Sequence, residues 1–174
     1  ARMWVMEGIS PYDEQVSLAT QLEIYGRPAR PEEGEDKNHF VYPFISMVFF
    51  GPFGLMEYTV ARAVWMTVLE ICAVLLVFVS LELTRWRVSL PAKIGLILFS
   101  LVWYHGLRSI IIGQFSIINS LLIVGALLAI DRERDVLAGL LLALSLSKPQ
   151  MVVLIIPFVL LWAISRKRRQ ILTG

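Results

Sequence analysis

The composition of this 174-residue chain is that of a membrane protein. Hydrophobic residues make up 57% of it, charged residues 17%, and the formal net charge is +2, whereas soluble domains are about 45 to 50% apolar and about 25% charged. These values exclude an ordinary soluble domain, and the single cysteine, Cys72, excludes a disulfide framework within the chain. The sequence therefore predicts one all-α membrane domain over residues 1–174, a multi-pass transmembrane helical bundle.

Residues 1–42 are predicted to be an aqueous loop on the extracytoplasmic side. Two short amphipathic helices, at residues 1–7 and 12–25, are separated by Gly8 and Pro11. The Ser10-Pro11 pair favours a helix start, which puts Asp13 and Glu14 in the first turn, where the helix dipole favours acids. The stretch YGRPARPEEGEDKNHF that follows mixes glycine, proline and charge as loops do.

Residues 43–174 are predicted to hold the transmembrane helices, since crossing a hydrocarbon core of roughly 30 Å takes about 20 helical residues. Residues 44–56 are too short and too broken by glycine and proline, and indicate an interfacial or re-entrant helix. Lys148 would be costly at mid-membrane and Pro149 lacks a backbone donor, so the last apolar run is cut there into two segments. Glu70, inside the clearest span, is expected to be protonated or paired within the bundle. The predicted spans are 60–83, 91–107, 116–130 and the divided run 136–165.

Basic residues predict the orientation, because short cytoplasmic loops carry an excess of lysine and arginine. Only Arg108 and Lys148 fall in short loops on the other side, which also holds residues 1–42. The sequence therefore predicts a multi-pass protein of the cell membrane with its polar face outside. The basic residues assigned to the cytoplasmic side are Arg85, Arg87, Lys93, Arg132, Arg134, Arg166, Lys167, Arg168 and Arg169.

The outer side gathers most of the polar side chains that lie near the spans. The segment IIIGQFSIINSLL puts Gln114 at the outer end of a span and Asn119 about one turn inside it. We expect both amides to line the wet mouth of a pocket shared with Arg108 and Lys148, rather than to be buried without partners. His105 follows Trp103-Tyr104 close by.

Each of these residues also has a purely structural interpretation. Arg108 and Lys148 could extend to lipid headgroups, Gln114 and Asn119 could join helices, and His105 could belong to an aromatic belt at the membrane interface. Neither histidine has a second ligand at metal-binding spacing, so the sequence predicts no metal site and no cofactor. The basic run at 166–169 indicates topology and contact with the lipid bilayer, not nucleic-acid binding.

Four motifs in series resemble glycosyltransferase family 87. They are EGISPYD (7–13), FVYPF (40–44) followed by GPFGLM (51–56), GQFSIIN (113–119) and LAGLLLALSLSKPQ (137–150). The resemblance implies a partial GT-C fold, similar to the polyprenyl-phosphate-mannose-dependent α-mannosyltransferases of bacterial envelopes. It implies transfer of a sugar, mannose, from a polyprenyl-phosphate donor to an extracytoplasmic glycan or glycolipid acceptor, inverting and metal-independent.

The resemblance also implies roles for particular residues. The catalytic aspartate of the family is expected upstream of Ala1, so the chain is interpreted as an N-terminal fragment that lacks the first span and is inactive alone. Asp13 is the nearest acid, but it matches the acid after the Pro-Tyr of the family. The residues expected to bind the donor phosphate or sugar are Tyr42, His105, Arg108, Gln114, Asn119 and Lys148. The chain departs from the family in reading Phe44 and Ser116 where Pro and Asn are usual.

Two other functions remain open from the sequence. A lipid or small-solute transporter or flippase would use the break at Ser147–Pro149 as a discontinuous helix, and would spread polar residues through the membrane depth. A non-catalytic membrane scaffold would leave the outer polar residues without a role.

Overall fold

The computed structural model describes residues 1–168 and 170–173, without the side chain of Leu172, and every regular element in that part of the chain is a helix. The all-α prediction is confirmed there. The chain divides into two compact units, Ala1–Ala61 and Arg62–Gly174. The predicted loop boundary after residue 42 lies inside the first unit.

The first unit begins with α1 (Arg2–Glu7) and α2 (Glu14–Tyr25). The prediction that Asp13 lies within the first turn of α2 is wrong. Asp13 has an extended backbone, φ −67° and ψ 143°, and its carboxylate accepts a hydrogen bond from the Gln15 N–H at 3.0 Å. An aspartate at this position satisfies a backbone donor that a helix start leaves unpaired, so α2 begins one residue after it.

A buried polar network attaches the charged loop to α2. Gln21 Nε2 donates to the Lys37 carbonyl at 2.8 Å and to Ser17 Oγ at 2.9 Å, and Gln21 Oε1 accepts from the Ala29 N–H at 2.7 Å. Ser17 Oγ also donates to the Lys37 carbonyl. Because Ser17 and Gln21 are buried while Leu18 and Leu22 are exposed, the polar side of α2 faces the loop.

The segment after this loop consists of short helical pieces. Phe44–Ser46 and Gly51–Leu55 are 3₁₀ helices on either side of α3 (Met47–Phe50). This apolar segment falls short of the length of a span, as the sequence predicts.

One helix in the described part of the chain is long and apolar enough to cross a membrane by itself. It is α4 (Tyr58–Leu83), with a mean hydropathy of 2.4. The next pair, α5 (Leu90–Val102) and α6 (Tyr104–Ile111), reaches that length only if the two are counted as one bent span. The predicted span 91–107 is therefore not one continuous helix, because it is interrupted at Trp103.

The bend between α5 and α6 is 53° and has a local cause. Trp103 leaves the helical region, with φ −57° and ψ 133°. The Ser100 carbonyl oxygen lies only 2.5 Å from the position that a Cβ on Gly106 would occupy, so the close approach requires glycine. As a result His105 and Arg108, predicted for an outer helix end or loop, lie within α6.

The rest of the second unit consists of α7 (Ser116–Asp131), α8 (Asp135–Ser145), α9 (Ile155–Ser165) and α10 (Gln170–Thr173). The predicted division of the last apolar run is confirmed: α8 ends at Ser145, and a 3₁₀ turn at Pro149–Met151 precedes α9. α7, α8 and α9 are apolar but shorter than a span. Together with α10 they form a buried core, which consists of Ala126, Ala129, Ala138, Leu142, Val159, Ala163 and Ile171.

Three ion pairs lie at one end of the second unit. Arg85 contacts Asp131 at 3.2 Å, and Arg132 contacts Glu82. Arg168 contacts Asp135 and donates a further hydrogen bond to the Ile130 carbonyl at 3.0 Å. One end of the second unit therefore holds the end of α4, the α7–α8 turn and the turn after α9, as the charge pattern predicts.

Replacing Asp135 with Ala is expected to destabilise the second unit more than replacing Asp131 with Ala. The Asp135 side chain is 12% exposed and its Arg168 partner 22%, against 40% and 79% for Asp131 and Arg85. We expect a loss of about 1.5 to 3 kcal/mol for the charge-assisted bonds of Asp135 and under about 1 kcal/mol for the exposed pair. Equilibrium unfolding in mixed micelles, followed by circular dichroism, measures both, and equal losses would contradict this ranking.

Candidate functional site

Gln114 and Lys148, both predicted for the outer polar cluster, are in direct contact. Lys148 Nζ donates a hydrogen bond to Gln114 Oε1 at 3.1 Å, and both side chains are half-buried. Gln114 precedes α7 and Lys148 follows α8, so this bond connects the two chain segments at the open end of the α7–α8 hairpin.

Asn119 is fully buried, with 0% of its surface exposed. Neither its amide nitrogen nor its amide oxygen has a hydrogen-bond partner in the part of the chain that the structure describes, and the same holds for the hydroxyl of the fully buried Ser147. The prediction that Asn119 lines a wet pocket mouth is therefore wrong. Asn119 lies on the side of α7 that packs inward, which a local polar pattern does not reveal.

The register of α7 against α8 suggests that these two unpaired groups lie near the same level. Gly125 lies opposite Leu141, whose Cδ1 is 3.4 Å from the position of a Cβ on that glycine. Six residues further towards the open end, the same antiparallel register would bring Asn119 near the level of Ser147, which lies just after the end of α8. The open end of the hairpin thus carries Gln114, Lys148, Asn119 and Ser147 together.

The turn that carries Gln114 is held by α4. Gly113 has φ +69°, and its carbonyl accepts a hydrogen bond from Trp65 Nε1 at 3.0 Å. The Trp65 ring stacks on Phe115, which is fully buried, with centroids 6.3 Å apart and planes 10° apart. Trp65 therefore fixes the residues on both sides of Gln114.

Arg108 and His105 lie on the exposed surface of α6. The His105 ring contacts Tyr104 and Trp103, with centroid distances of 5.1 and 5.9 Å, which agrees with its interpretation as part of an aromatic belt. The Arg108 guanidinium makes no hydrogen bond or ion pair with the residues that the structure describes.

Asp13 and Tyr42 belong to the first unit. Asp13 is engaged as the cap of α2. The Tyr42 carbonyl accepts a hydrogen bond from Tyr12 Oη at 2.7 Å, and its ring packs against Phe40 and Phe50 with centroids 5.9 and 5.8 Å away. Burial raises the pKa of the Tyr42 phenol above its ordinary value.

An apolar groove of about 460 Å³ runs along α4 and α5 and reaches the first turn of α7. Phe99 of α5 lines it, and Ile117, at its α7 end, is three residues from Gln114. A hydrocarbon chain matches this lining. The other apolar residues of the groove include Ala73, Leu76, Val77, Leu81 and Leu96.

Within residues 1–168 and 170–173, no group of three or more His, Cys, Asp or Glu side chains is arranged to hold a metal ion.

The family model described as "Glycosyltransferase family 87" matches residues 40–174. The chain belongs to glycosyltransferase family 87. Comparison with curated proteins and with solved structures returned no match.

Membership makes this chain a glycosyltransferase of a family of membrane proteins, and the matched region contains all of the second unit. Sequence reasoning missed two residues of this candidate site. Ser147 adjoins the predicted break at Lys148-Pro149 and could have been included on that ground. Trp65 lies in the middle of an apolar helix, and no local signal relates it to Gly113.

Replacing Gly113 with Ala is expected to destabilise the second unit. An alanine would have to adopt a left-handed backbone and would place its Cβ 3.3 Å from Trp65 Nε1, at a cost of about 1 to 3 kcal/mol. Gly95 is a matched control, because it lies inside α5 with open space around it, and alanine there should stabilise by about 0.5 to 1 kcal/mol. Equilibrium unfolding in mixed micelles measures the free energy of unfolding of both variants, and equal changes would refute this prediction.

Replacing Ser145 or Ser147 with alanine should change the free energy of unfolding in different ways. Ser145 is buried and donates to the Leu142 carbonyl at 2.6 Å, so Ser145→Ala should cost about 0.5 to 1.5 kcal/mol. Ser147 is equally buried but unpaired, so Ser147→Ala should be neutral or stabilising by up to about 1 kcal/mol, since it removes a desolvated hydroxyl. Unfolding free energies of both variants decide the matter, and a clear loss for Ser147→Ala would show that its hydroxyl is satisfied in the folded protein.

Proposed function

We propose that this chain transfers mannose from a polyprenyl-phosphate donor to an extracytoplasmic glycan or glycolipid acceptor. The observation that supports this most directly is the hydrogen bond between Lys148 and Gln114 at the open end of the α7–α8 hairpin. Ser147 and Asn119, which are close to these two residues along the chain, are buried polar side chains without a described partner. The adjoining apolar groove supports a lipid-linked donor.

Lys148 is the residue best suited to the leaving phosphate. Its hydrogen-bond partner is the neutral amide of Gln114, and it has no ion pair with a carboxylate among the residues described. The positive charge of Lys148 is therefore not neutralised by a carboxylate in the described part of the chain. As the bond from C1 of the sugar to the phosphate oxygen breaks, negative charge grows on that phosphate, and a fixed cation lowers the barrier.

Asn119 and Ser147 provide hydrogen-bond donors and acceptors that no described residue uses. Sugar hydroxyls both donate and accept, and phosphate oxygens accept, so either group matches these side chains. Because both are fully buried, contact with a donor requires a local movement that exposes them.

The apolar groove accounts for the lipid part of the donor. Its end at Ile117 is close to Gln114 along the chain, so a polyprenyl tail lying in the groove would have its phosphate at the open end of the hairpin. Arg108, exposed on α6, is a second cation available to the same phosphate.

The proposed reaction inverts the configuration at C1 and uses no metal. A carboxylate removes the proton from the acceptor hydroxyl as its oxygen attacks C1, and the lipid phosphate leaves with the electrons of the broken bond. Asp13 is a poor candidate for this base because its carboxylate caps α2. Tyr42 and His105 remain proposed donor-site residues.

We propose that the chain lies in the cell membrane as a multi-pass protein, with the Gln114–Lys148 end outside. The ion pairs that gather the basic turns at the other end support this orientation. A bent crossing by α5 and α6, and partial crossings by the shorter apolar helices, would add to the crossing by α4.

A transporter or flippase is the second candidate, because the break between α8 and α9 resembles the discontinuous helices of transporters. Family membership favours the transferase. Incubating membranes with polyprenyl-phosphate [¹⁴C]mannose separates the two, since a transferase releases the label from the donor onto an acceptor, whereas a transporter leaves the donor intact.

Replacing Lys148 with Met is expected to lower transfer by about 10²-fold, the usual effect of removing one group that stabilises developing charge. Arg108→Met should lower it less, because Arg108 is exposed to solvent. Lys93→Met is the control, because Lys93 is a basic residue of α5 whose amine lies over the Phe78 ring, and it should retain full activity. The protein is assayed in membranes with its native flanking sequence, and unchanged transfer in both site variants would rule out this assignment.

A further inference from the structure

The peptide group between Gly113 and Gln114 is held on both of its edges. Trp65 Nε1 donates a hydrogen bond to the Gly113 carbonyl at 3.0 Å, and the Gln114 N–H donates to the Ser109 carbonyl at 2.7 Å. A peptide group is planar, with its carbonyl and its N–H on opposite edges, so these two bonds fix the orientation of the plane. Gly113 has the wide backbone freedom of glycine, so its φ of +69° is maintained by these bonds.

The indole of Trp65 also restrains the residue that follows Gln114. The ring stacks on Phe115, which is fully buried, with the two planes 10° apart. Trp65 is half-buried on α4, so one side chain from another helix contacts the residues before and after Gln114. The direction in which the Gln114 side chain leaves the backbone is therefore set from α4.

Lys148 has no comparable restraint from its own segment. The backbone there is a short turn, in which the Lys148 N–H donates to the Ser145 carbonyl at 3.2 Å. Its side chain is a flexible four-carbon stem, and the one hydrogen bond that its amine makes to a described residue is to Gln114 Oε1, at 3.1 Å. The position of the ammonium therefore depends on the position of Gln114.

We propose that Trp65 is a positioning residue, which places the Lys148 ammonium for the leaving phosphate by orienting Gln114. Trp65 acts through the Gly113 carbonyl and the Gln114 amide and touches neither the sugar nor the phosphate. The role of the ammonium rests on the proposed function, whereas the series of contacts from Trp65 to Lys148 does not. A cation that stabilises developing charge must be in place before the reaction, and a displacement of about 1 Å can cost up to about 10²-fold in rate.

The variant Trp65→Phe tests the effect on transfer, because phenylalanine keeps a ring beside Phe115 but has no N–H to donate. The protein is assayed in membranes with its native flanking sequence and polyprenyl-phosphate [¹⁴C]mannose. We expect kcat to fall about tenfold, because the ammonium is displaced rather than removed, and KM for the donor to change less than about twofold. Trp162→Phe is the matched control, because Trp162 packs against the hydrophobic core of α7 to α10, and it should retain full activity.

The same substitution in the Lys148→Met background separates positioning from a general loss of stability. Trp65→Phe should lower the residual transfer there by less than about twofold, because the ammonium that it positions is absent, whereas independent effects would combine in full. An equal loss in both backgrounds would show that Trp65 affects only the fold, and would overturn the proposal.

Acetylation of the Lys148 amine tests the positioning without any transfer. Membranes are treated briefly with a water-soluble N-hydroxysuccinimide ester of acetate, and the modified fraction of Lys148 is measured by mass spectrometry. Trp65→Phe and Gln114→Leu should each raise the initial rate severalfold, because either change releases the amine, and the two together should do no more than one alone. Trp162→Phe should leave the rate unchanged. A rate that Trp65→Phe does not change would overturn the proposal, whereas an absence of transfer by the native protein would count against the proposed function alone.

The isosteric analogue 3-benzothienylalanine at position 65 replaces Trp65→Phe if that variant does not accumulate in membranes. It keeps the fused rings of tryptophan and has sulfur in place of the N–H, so only the hydrogen bond to the Gly113 carbonyl is lost. The same changes in kcat and in acetylation rate would support the proposal, and native behaviour in both measurements would overturn it.

Discussion

Close packing of α7 against α8 is the constraint on which the rest of the second unit depends. Ala126, Ala129 and Ala138 are 4% exposed or less, and Gly125 faces Leu141, so the two helices meet through small side chains. Small residues let helix backbones approach closely, and a shift in register would bring larger side chains into that contact. The same register agrees with the hydrogen bond between Gln114, before α7, and Lys148, after α8.

The two ends of this hairpin differ in how their polar groups are satisfied. At the end with the α7–α8 turn, carboxylates of Glu82, Asp131 and Asp135 each pair with an arginine. At the open end, about 24 Å away along a 16-residue helix, Lys148 has only an amide, and Asn119 has no described partner. Charged groups that are paired within the protein stabilise the fold, whereas polar groups without a partner remain able to bind a ligand. The open end is therefore the better candidate for the reactive site.

Local sequence signals predicted most of the helices, but they did not predict every bend or the features that depend on packing between helices. Pro149 beside Lys148 was enough to divide the last apolar run, and the uninterrupted apolar stretch was enough to place α4. The bend at Trp103 has a local cause, the close approach of Gly106 to the Ser100 carbonyl, but it was missed because no proline marks it in the sequence. The burial of Asn119 was missed because a polar residue near a helix end is expected to face solvent. Only the position of the neighbouring helix α8 shows otherwise.

The break after α8 explains how a buried amide could still serve a binding site. From Ser147 to Val152 the backbone is held by short-range bonds, such as Lys148 N–H to the Ser145 carbonyl at 3.2 Å and Met151 N–H to the Lys148 carbonyl at 3.0 Å. Such turns open at lower free energy than a continuous helix, because fewer hydrogen bonds and apolar contacts are lost. Opening this segment would uncover Ser147, and we expect it also to give access to Asn119, while the α7–α8 core stays packed. The cost of burying unpaired groups, about 1 to 3 kcal/mol each, disfavours the closed state and would ease that movement.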